Sequence, residues 1–498
     1  MEPEALLEGL DDAQRQAVTS TAMPLVVLAP AGSGKTRVLT RRIAYRVATG
    51  EADPRHVLAL TFTRKAAGEL TDRLGRLGLR DDATAGTFHA VAWGALRTHW
   101  ADRGRAAPTL LDRKGRVLGE VAPKVSGRDR RTVMGDLATE IEWAKARMIT
   151  PDNYEAAVAA SVRRPPVRPE LVAEAYRAYE LHKQRSGLVD FDDLLALCAR
   201  ALEEDRRFAA AQRWRFRHLY VDELQDVNAL QFRLLEAWRG EGYDITAVGD
   251  PQQAIYGWNG ADAGFLLDIQ RHWPPAEVIR LVSSYRSSPQ ILTAAAQVLR
   301  GAKQPAQEVQ AARPDGIAPS ISGHADARAE AVAVARAVRR AHLPGRPWAD
   351  QAILVRTNAQ ITLLAEALRG SGIPHRVRGG TGFLERPAVQ RALRQLRNRA
   401  VPLGTGLSDL EAGLDSDVPH LVAEELDPDD HEGRSEALSR AQEEHDALAL
   451  LVRMGRDYLR LDPVGGGATF AAGLSATIRS EAEASLGGDA VDVVTFHA

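Results

Sequence analysis

The 498-residue chain contains one cysteine, Cys198. That excludes an intrachain disulfide and any multi-cysteine metal centre, and leaves the thiol the role of a small buried apolar group. Aromatic residues are scarce at 5%, yet apolar residues reach 45% and charged residues 26%, the balance of an ordinary soluble protein rather than a disordered one. No run approaches the roughly 18 apolar residues of a membrane span, and the acidic start "MEPEALLEGLDDAQ" has no apolar signal core. The expectation is a cytoplasmic protein with no membrane partner. Net charge is also lacking: at −2 the whole-chain field gives no hint of nucleic acid.

Local charge is another matter. Residues 103–131 carry nine Lys/Arg (Arg103, Arg105, Arg113, Lys114, Arg116, Lys124, Arg128, Arg130, Arg131) against three acids, whereas residues 409–446 carry fourteen acids against two arginines. The first segment either tracks phosphates or is a solvated surface. The second, with "EELDPDDHEG", is expected to be a flexible loop facing away from nucleic acid.

The length exceeds what one hydrophobic core supports, so three or four domains or subdomains with clefts between them are expected. Short β-branched runs recur ahead of loops: "LVVLAP" (25–30), "HVLALTFT" (56–63), "HLYVDE" (218–223), "DITAVGD" (244–250), "EVIRLV" (277–282) and "QAILVR" (351–356). Continuous apolar strands separated by helical stretches predict α/β architecture with two parallel sheets covered on both faces. Two mainly helical insertions interrupt it: roughly 97–195, with helical periodicity in "ELVAEAYRAYELHKQ", and a shorter one from about 398 through "EALSRAQEEHDALALLVRMGRDYLRL" to the Gly-rich "PVGGGA".

The chemistry starts at "LVVLAPAGSGKTRVL", which reads as strand, tight loop and helix start. Ala29-Pro30-Ala31-Gly32-Ser33-Gly34-Lys35-Thr36 has P-loop spacing, with Ala29 where the first glycine usually stands. Gly32 and Gly34 allow amide hydrogens and a helix N-terminus to cradle phosphate oxygens. Lys35 is placed to reach the β- and γ-phosphates and Thr36 to ligate Mg²⁺. The strand "HLYVDE" then delivers "VDELQD", where Asp222 suits the metal and Glu223 suits the activation of water. Together they predict hydrolysis of ATP with Mg²⁺.

In order along the chain, "LDDAQRQAV", "APAGSGKTR", "ALTFTRKAAGEL", "GTFHAVAW", "GLVDFDDLL", "VDELQD", "VGDPQQAIYGWNGAD", "SSYRSSPQIL", "ILVRTNAQ" and "GGTGFLER" resemble the motif series of the UvrD/Rep/PcrA-like superfamily 1 DNA helicases. The resemblance covers most of the chain. It implies two RecA-like motor domains, the second incomplete: 1–97 and 196–282 for the first with 98–195 inserted, and 283–397 and 490–498 for the second with 398–489 inserted. Gln14 resembles the residue that offers its amide to adenine, with Ala29, Ala31, Ser33 and Arg37 completing the nucleotide loop and Tyr285 stacking on the base. Gln253 resembles the γ-phosphate sensor and Arg286 an arginine finger. Phe62, Thr63, His89, Tyr256, Trp258, Arg356, Asn358 and His497 resemble DNA contacts, the aromatics suited to sequence-tolerant stacking. The implied function is an ATP-dependent helicase or translocase moving 3′→5′, acting on single-stranded DNA and single-strand/duplex junctions, with repair or recombination proteins as partners. A helicase–nuclease subunit would need a metal-binding nuclease cluster, which the sequence does not contain.

Three departures stand out. The family commonly has arginine at Asn259, the second insertion is short and acidic, and the closing strand "VDVVTFHA", which delivers Thr495 and His497, is not followed by the family's Lys-Gly-Leu-Glu segment or its second γ-phosphate arginine. The alternative expectation is therefore a chain truncated within the T-x-H motif that binds ATP and single-stranded DNA without unwinding.

Overall fold

The computed structural model describes residues 2–416 apart from 80–82, 112–113, 123–129, 162, 243, 258–259, 303–307, 379–386 and 399–401, then scattered positions from 445 to 474 and residues 466 and 489–496. Two units divide at Ser320. In the first, strand Leu25–Leu28 (β1) is buried throughout. Its side chains alternate between two cores, Leu25 and Val27 on one side of the sheet and Val26 and Leu28 on the other. Strands Val57–Thr61 (β2), Thr84–Thr87 (β3), His218–Val221 (β6), Ile245–Gly249 (β7) and Glu277–Arg280 (β8) join it in the order β3-β2-β6-β7-β1-β8. All pairings are parallel. Burial on both faces is why these strands are apolar runs rather than alternating ones. Cys198 lies fully buried in one of the two cores, and burial pushes its thiol up to about 12, so it is packing rather than a nucleophile.

The first insertion is closed at its base by a short parallel pair, Thr109–Leu110 (β4) with Leu188–Val189 (β5). Helices Lys114–Val121, Arg130–Ala146, Tyr154–Ala159 and Pro169–Ser186 enclose a core of their own, including Leu118, Leu137, Ile141, Val172 and Tyr179. Helices Phe88–Asp102 and Phe191–Glu204 overrun the expected limits of 98 and 195 and belong to the core of the motor sheet. Two cations of the basic segment are held by carboxylates. The Lys114 ammonium lies 3.0 Å from Glu142 and 2.9 Å from Asp192, and Arg103 lies 2.5 Å from Asp205. Lys114 is thus committed to carboxylates.

Where the insertion meets the motor sheet, Asp190 caps helix Phe191–Glu204 and accepts from Lys145 at 2.8 Å, Lys183 at 3.2 Å and the Tyr179 hydroxyl at 2.9 Å. Oxygens of Glu180, Asp190 and Asp193 lie within 4.8 Å of one another. The Lys145 and Lys183 ammoniums stand among them, so their charge is already balanced by protein.

Residues 283–320 cluster with the first unit. Within them Ser283–Ser284 (β9) pairs with Gln310–Ala311 (β10). The second unit contains a three-stranded parallel sheet of Ala352–Val355 (β11), His375–Arg378 (β12) and Val491–Thr495 (β13), with β13 in the middle. Ile353, Val355, Val491 and Val493 pack against Ala335, Val338, Leu364 and Leu368 of helices Ala327–Ala341 and Asn358–Gly370. Helix Pro387–Asn398 instead shares a cluster with helix Leu403–Ser416 through Val389, Leu393, Leu403 and Leu407, so the boundary expected at 398 falls inside a helical cluster. The acidic stretch 417–444 lies outside the described residues.

Burial works against a charged Asp190, but Lys145 and Lys183 outweigh it and hold the carboxyl well below its usual range. A depressed carboxyl stabilises the fold above its unfolded pKa of about 3.9, and loses that contribution as pH falls through the folded value. At pH 7 the contribution is complete. Asp190→Ala removes one of the three carboxylates that face Lys145 and Lys183, leaving Glu180 and Asp193, and is expected to cost about 1.5–3 kcal/mol, read as a lowered urea midpoint by circular dichroism.

Candidate functional site

The loop after β1 is anchored to the next strand, since the Ala29 amide donates to the Gly249 carbonyl at 2.9 Å. Gly32 and Gly34 have φ of 78° and 85°, the left-handed region that only glycine enters freely. A Cβ on Gly32 would lie 2.5 Å from the Arg286 Cβ and 2.7 Å from the Ser284 Oγ. Gly34 is the N-cap of helix Lys35–Ala48, so that helix presents its unpaired amides and positive dipole end to the loop.

Opposite stands the end of β6. The Lys35 ammonium is 2.8 Å from Glu223 Oε2, and the Thr36 hydroxyl donates to Asp222 Oδ2 at 3.3 Å. Glu223 itself adopts φ 55°, a strained choice for a non-glycine residue of the kind that clusters at functional sites. One ammonium serves several carboxylates here. Burial and the neighbouring Glu223 push Asp222 up to about 6 and Asp226 up to about 7.

The sequence positions Gln14 by helix capping. Asp11 caps helix Asp12–Thr19 in a capping box with Gln14, and the fully buried Arg42 donates to the carbonyls of Ala17, Val18 and Ser20 at its far end. Gln14 is thereby fixed: its carbonyl accepts from the Asp11 amide at 3.2 Å and its NH₂ donates to the Ser33 carbonyl at 2.8 Å. The Tyr285 hydroxyl donates to Asp11 at 2.6 Å and its amide to Gly32 at 2.9 Å. Ser284 Oγ donates to the Ala31 carbonyl at 2.9 Å, which leaves Arg286 exposed beside the loop. Arg37 reaches the Glu8 carbonyl at 3.4 Å. The Gln253 NH₂ donates to Asp250 Oδ2 at 2.6 Å.

A cavity of about 250 Å³ opens on the same edge of the sheet, with Phe62, His89, Phe191, Asp226 and Tyr256 among its lining. Phe62 and Tyr256 are near-parallel, with centroids 6.1 Å apart at 17°, and His89 meets Phe191 edge-on at 6.0 Å. Burial pulls the His89 imidazole down from its usual range, which favours the neutral ring. Thr63 caps helix Arg64–Arg76 by accepting from the Ala66 amide at 3.1 Å. Three residues were not foreseen. Phe191 is 41% exposed and lies inside the quoted "GLVDFDDLL" without a role. Gln225 and Asp226 lie inside "VDELQD". The Gln225 NH₂ donates to Glu223 at 2.8 Å and to Asp226 at 3.3 Å, while its carbonyl accepts from the Asp250 amide at 2.9 Å.

The second unit places Arg356 beside its own cavity of about 280 Å³, lined also by Ile353, Leu364 and Phe496. The Arg356 amide donates to Gln360 Oε1 at 3.0 Å. Asn358 begins the following helix, and Thr495 ends β13. Trp258, Asn259 and His497, the Asn358 side chain and all of "GGTGFLER" lie outside the described residues.

A family model described as the UvrD/REP helicase N-terminal domain matches residues 10–274, and one described as the UvrD-like helicase C-terminal domain matches residues 279–400. Among curated proteins, the ATP-dependent DNA helicase UvrD2 of Mycobacterium tuberculosis (strain ATCC 25618 / H37Rv) is 40% identical over 497 residues, covering 96% of this chain and 69% of the relative. The ATP-dependent DNA helicase PcrA of Bacillus subtilis (strain 168) is 32% identical over 404 residues, 79% of this chain and 53% of the relative. That of Leuconostoc citreum is 32% identical over 404 residues, 78% and 52%.

Gly32→Ala tests the loop. The positive φ and the 2.5 Å approach to Arg286 are expected to impose about 1–3 kcal/mol of strain, read as a roughly fivefold or larger loss of affinity for a fluorescent ATP analogue.

Proposed function

The chain belongs to the UvrD/REP helicase family, and we propose that it hydrolyses ATP to move 3′→5′ along single-stranded DNA and to separate strands at single-strand/duplex junctions. The observation that carries this reading is Gln225, one amide that touches Glu223 on the nucleotide side, Asp226 in the lining of the aromatic cavity and the backbone of the Gln253 loop. A shift of Glu223 on nucleotide binding alters the hydrogen bonding of a residue that faces the bases. Coupling of hydrolysis to grip needs such a shared element.

The donor set fits a hard divalent cation. Thr36 and Asp222 present oxygens to each other across 3.3 Å, and burial beside Glu223 leaves Asp222 short of positive charge. These two residues would hold Mg²⁺, which when bound neutralises phosphate charge. Lys35, exchanging Glu223 for phosphate, binds the β- and γ-phosphates. Glu223, released from that ion pair, takes the proton of the attacking water. Gln253 registers the γ-phosphate, and Arg286 stabilises charge developing on the transferred group. Phe62, Tyr256 and Phe191 hold bases by stacking, and little sequence preference follows.

Lys35→Ala is expected to abolish DNA-stimulated ATPase activity. Glu223→Gln is expected to keep ATP binding and lose turnover, and equal loss of both would reassign Glu223 to a structural role. Phe62→Ala is expected to weaken single-strand affinity by about 1–3 kcal/mol without changing ATP affinity measured in the absence of DNA.

A pH dependence follows from Asp222. A raised carboxyl pKa means that the free protein holds the proton more readily, so acid competes with the cation. Mg²⁺-dependent nucleotide binding is expected to weaken as pH falls through about 6, measured by titration of a fluorescent nucleotide from pH 8 to about 5. A flat profile would overturn the assignment of Asp222.

A further inference from the structure

Helix Arg206–Arg215 reads "RRFAAAQRWR" and carries no acid. Phe208, Ala209 and Gln212 are its buried side, while Arg206, Arg207, Ala210, Ala211, Trp214 and Arg215 face solvent. Trp214 is 63% exposed. The Arg217 guanidinium lies over its ring at 4.6 Å, and His56 meets it edge-on at 5.2 Å. An amphipathic surface helix normally mixes both charge signs on its wet face. Here that face has arginines at both ends, two alanines between them and one largely exposed indole.

Two cavities of about 490 Å³ flank the helix. One takes Arg103, Arg105, Arg206 and Arg207 into its lining, the other Arg213, Arg217 and Arg239. The nearby carboxylates are mostly spent: Asp205 on Arg103 and the helix N-terminus, Asp244 on Arg46 and His218, and Glu236 on Arg239. Glu204 and Glu241 remain in the two linings. Arg105, Arg206, Arg207, Arg215 and Arg217 have no carboxylate partner among the described residues, and Arg213 donates only to the Ala237 carbonyl. In a chain of net charge −2, such a concentration of unspent guanidinium groups is a local field of one sign. The helix leads into the start of β6, and Gly240–Asp244 into the start of β7. The face therefore lies on the edge of the sheet opposite Lys35, Asp222 and the aromatic cavity.

We propose that this face is a second single-stranded DNA contact, holding the phosphodiester backbone of a stretch beyond the one seated in the aromatic cavity, with Trp214 stacked on a base. The proposal rests on the reading of the chain as a single-strand-binding motor. The chemistry favours DNA over an acidic polypeptide because the array pairs guanidinium groups with an indole that remains 63% exposed beside Arg217, which is what a strand of alternating phosphate and base fits. Ten residues of helix run about 15 Å, the length of about four nucleotides at the 3.4 Å spacing of a stacked strand.

The test compares oligothymidylates of about ten and about forty nucleotides, lengths chosen around the site sizes of single-strand-binding modules, on wild type, Trp214→Ala, Trp214→Phe and the triple variant Arg207→Glu/Arg215→Glu/Arg217→Glu. The substituted side chains are exposed, and circular dichroism verifies the fold. Wild type is expected to bind the long strand tighter than the greater number of start positions explains. The triple variant should lose that excess, roughly tenfold, and its log–log salt slope on the long strand should shrink by about 2, three phosphate contacts at about 0.7 each. Trp214→Ala should lose part of the excess and Trp214→Phe restore it, with short-strand affinity and basal ATPase unchanged throughout. The proposal is overturned if the variants keep the long-strand affinity and slope, if they lose short and long binding equally, or if only binding of polyglutamate is lost, which would make the face a protein contact. Failure of wild type to bind the short strand would count against the aromatic cavity and leave the long-strand comparison to decide this face.

Discussion

Parallel pairing obliges every strand of the six-stranded sheet to end on one edge. The loop of Lys35 after β1, Phe62 after β2, Asp222 and Glu223 after β6 and Asp250 after β7 are brought together by that single constraint. Both faces of the sheet are closed by apolar packing, so polar chemistry has no other place to collect. Neighbouring strands lie only about 4.8 Å apart, which is why a lysine after one strand can touch a glutamate after another at 2.8 Å.

The electrostatics of that edge follow from crowding. Asp222, Glu223 and Asp226 share the field of Lys35, and two of them hold protons more tightly than usual because burial and Glu223 oppose ionisation. Such a cluster is short of positive charge. The mirror situation occurs at the base of the insertion, where Asp190 and its neighbours are matched by two buried lysines. The same residue types thus serve rigidity in one place and exchangeable charge in the other, the difference being whether the counter-charge is covalently part of the fold.

The interior strands are legible in the sequence because burial on both sides writes itself as an apolar run: β1, β2, β6 and β7 all read this way. Within the six- and three-stranded sheets the two that escape notice are β3, "TAGT", and β12, "HRVR", both at sheet edges, where one flank is unpaired and no such run is required. Motif spacing singled out Lys35, Thr36, Asp222 and Glu223, which the fold brings together, because loop and strand contribute them contiguously. Phe191 and Gln225 escaped assignment for a different reason. Their roles exist only through neighbours distant in sequence, His89 for the first and Asp250 for the second. The pairing of Lys114 is hidden in the same manner, since Glu142 and Asp192, which engage it, are invisible in a local count of charge.

The position of β13 sets the order in which the second unit can be completed. β11 and β12 are close in sequence but do not pair with each other; each bonds only to the strand between them, Val491–Thr495. During synthesis both therefore emerge with open hydrogen-bonding edges and must wait for the ribosome to pass a long intervening segment before that sheet exists. Such distant pairing is slow to close and leaves unpaired edges exposed in the meantime. Helices Ala327–Ala341 and Asn358–Gly370, which pack on the sheet, can form early from local contacts and shield Ile353 and Val355 until the central strand arrives. The nascent chain thus carries a temporary cover for its most adhesive surface.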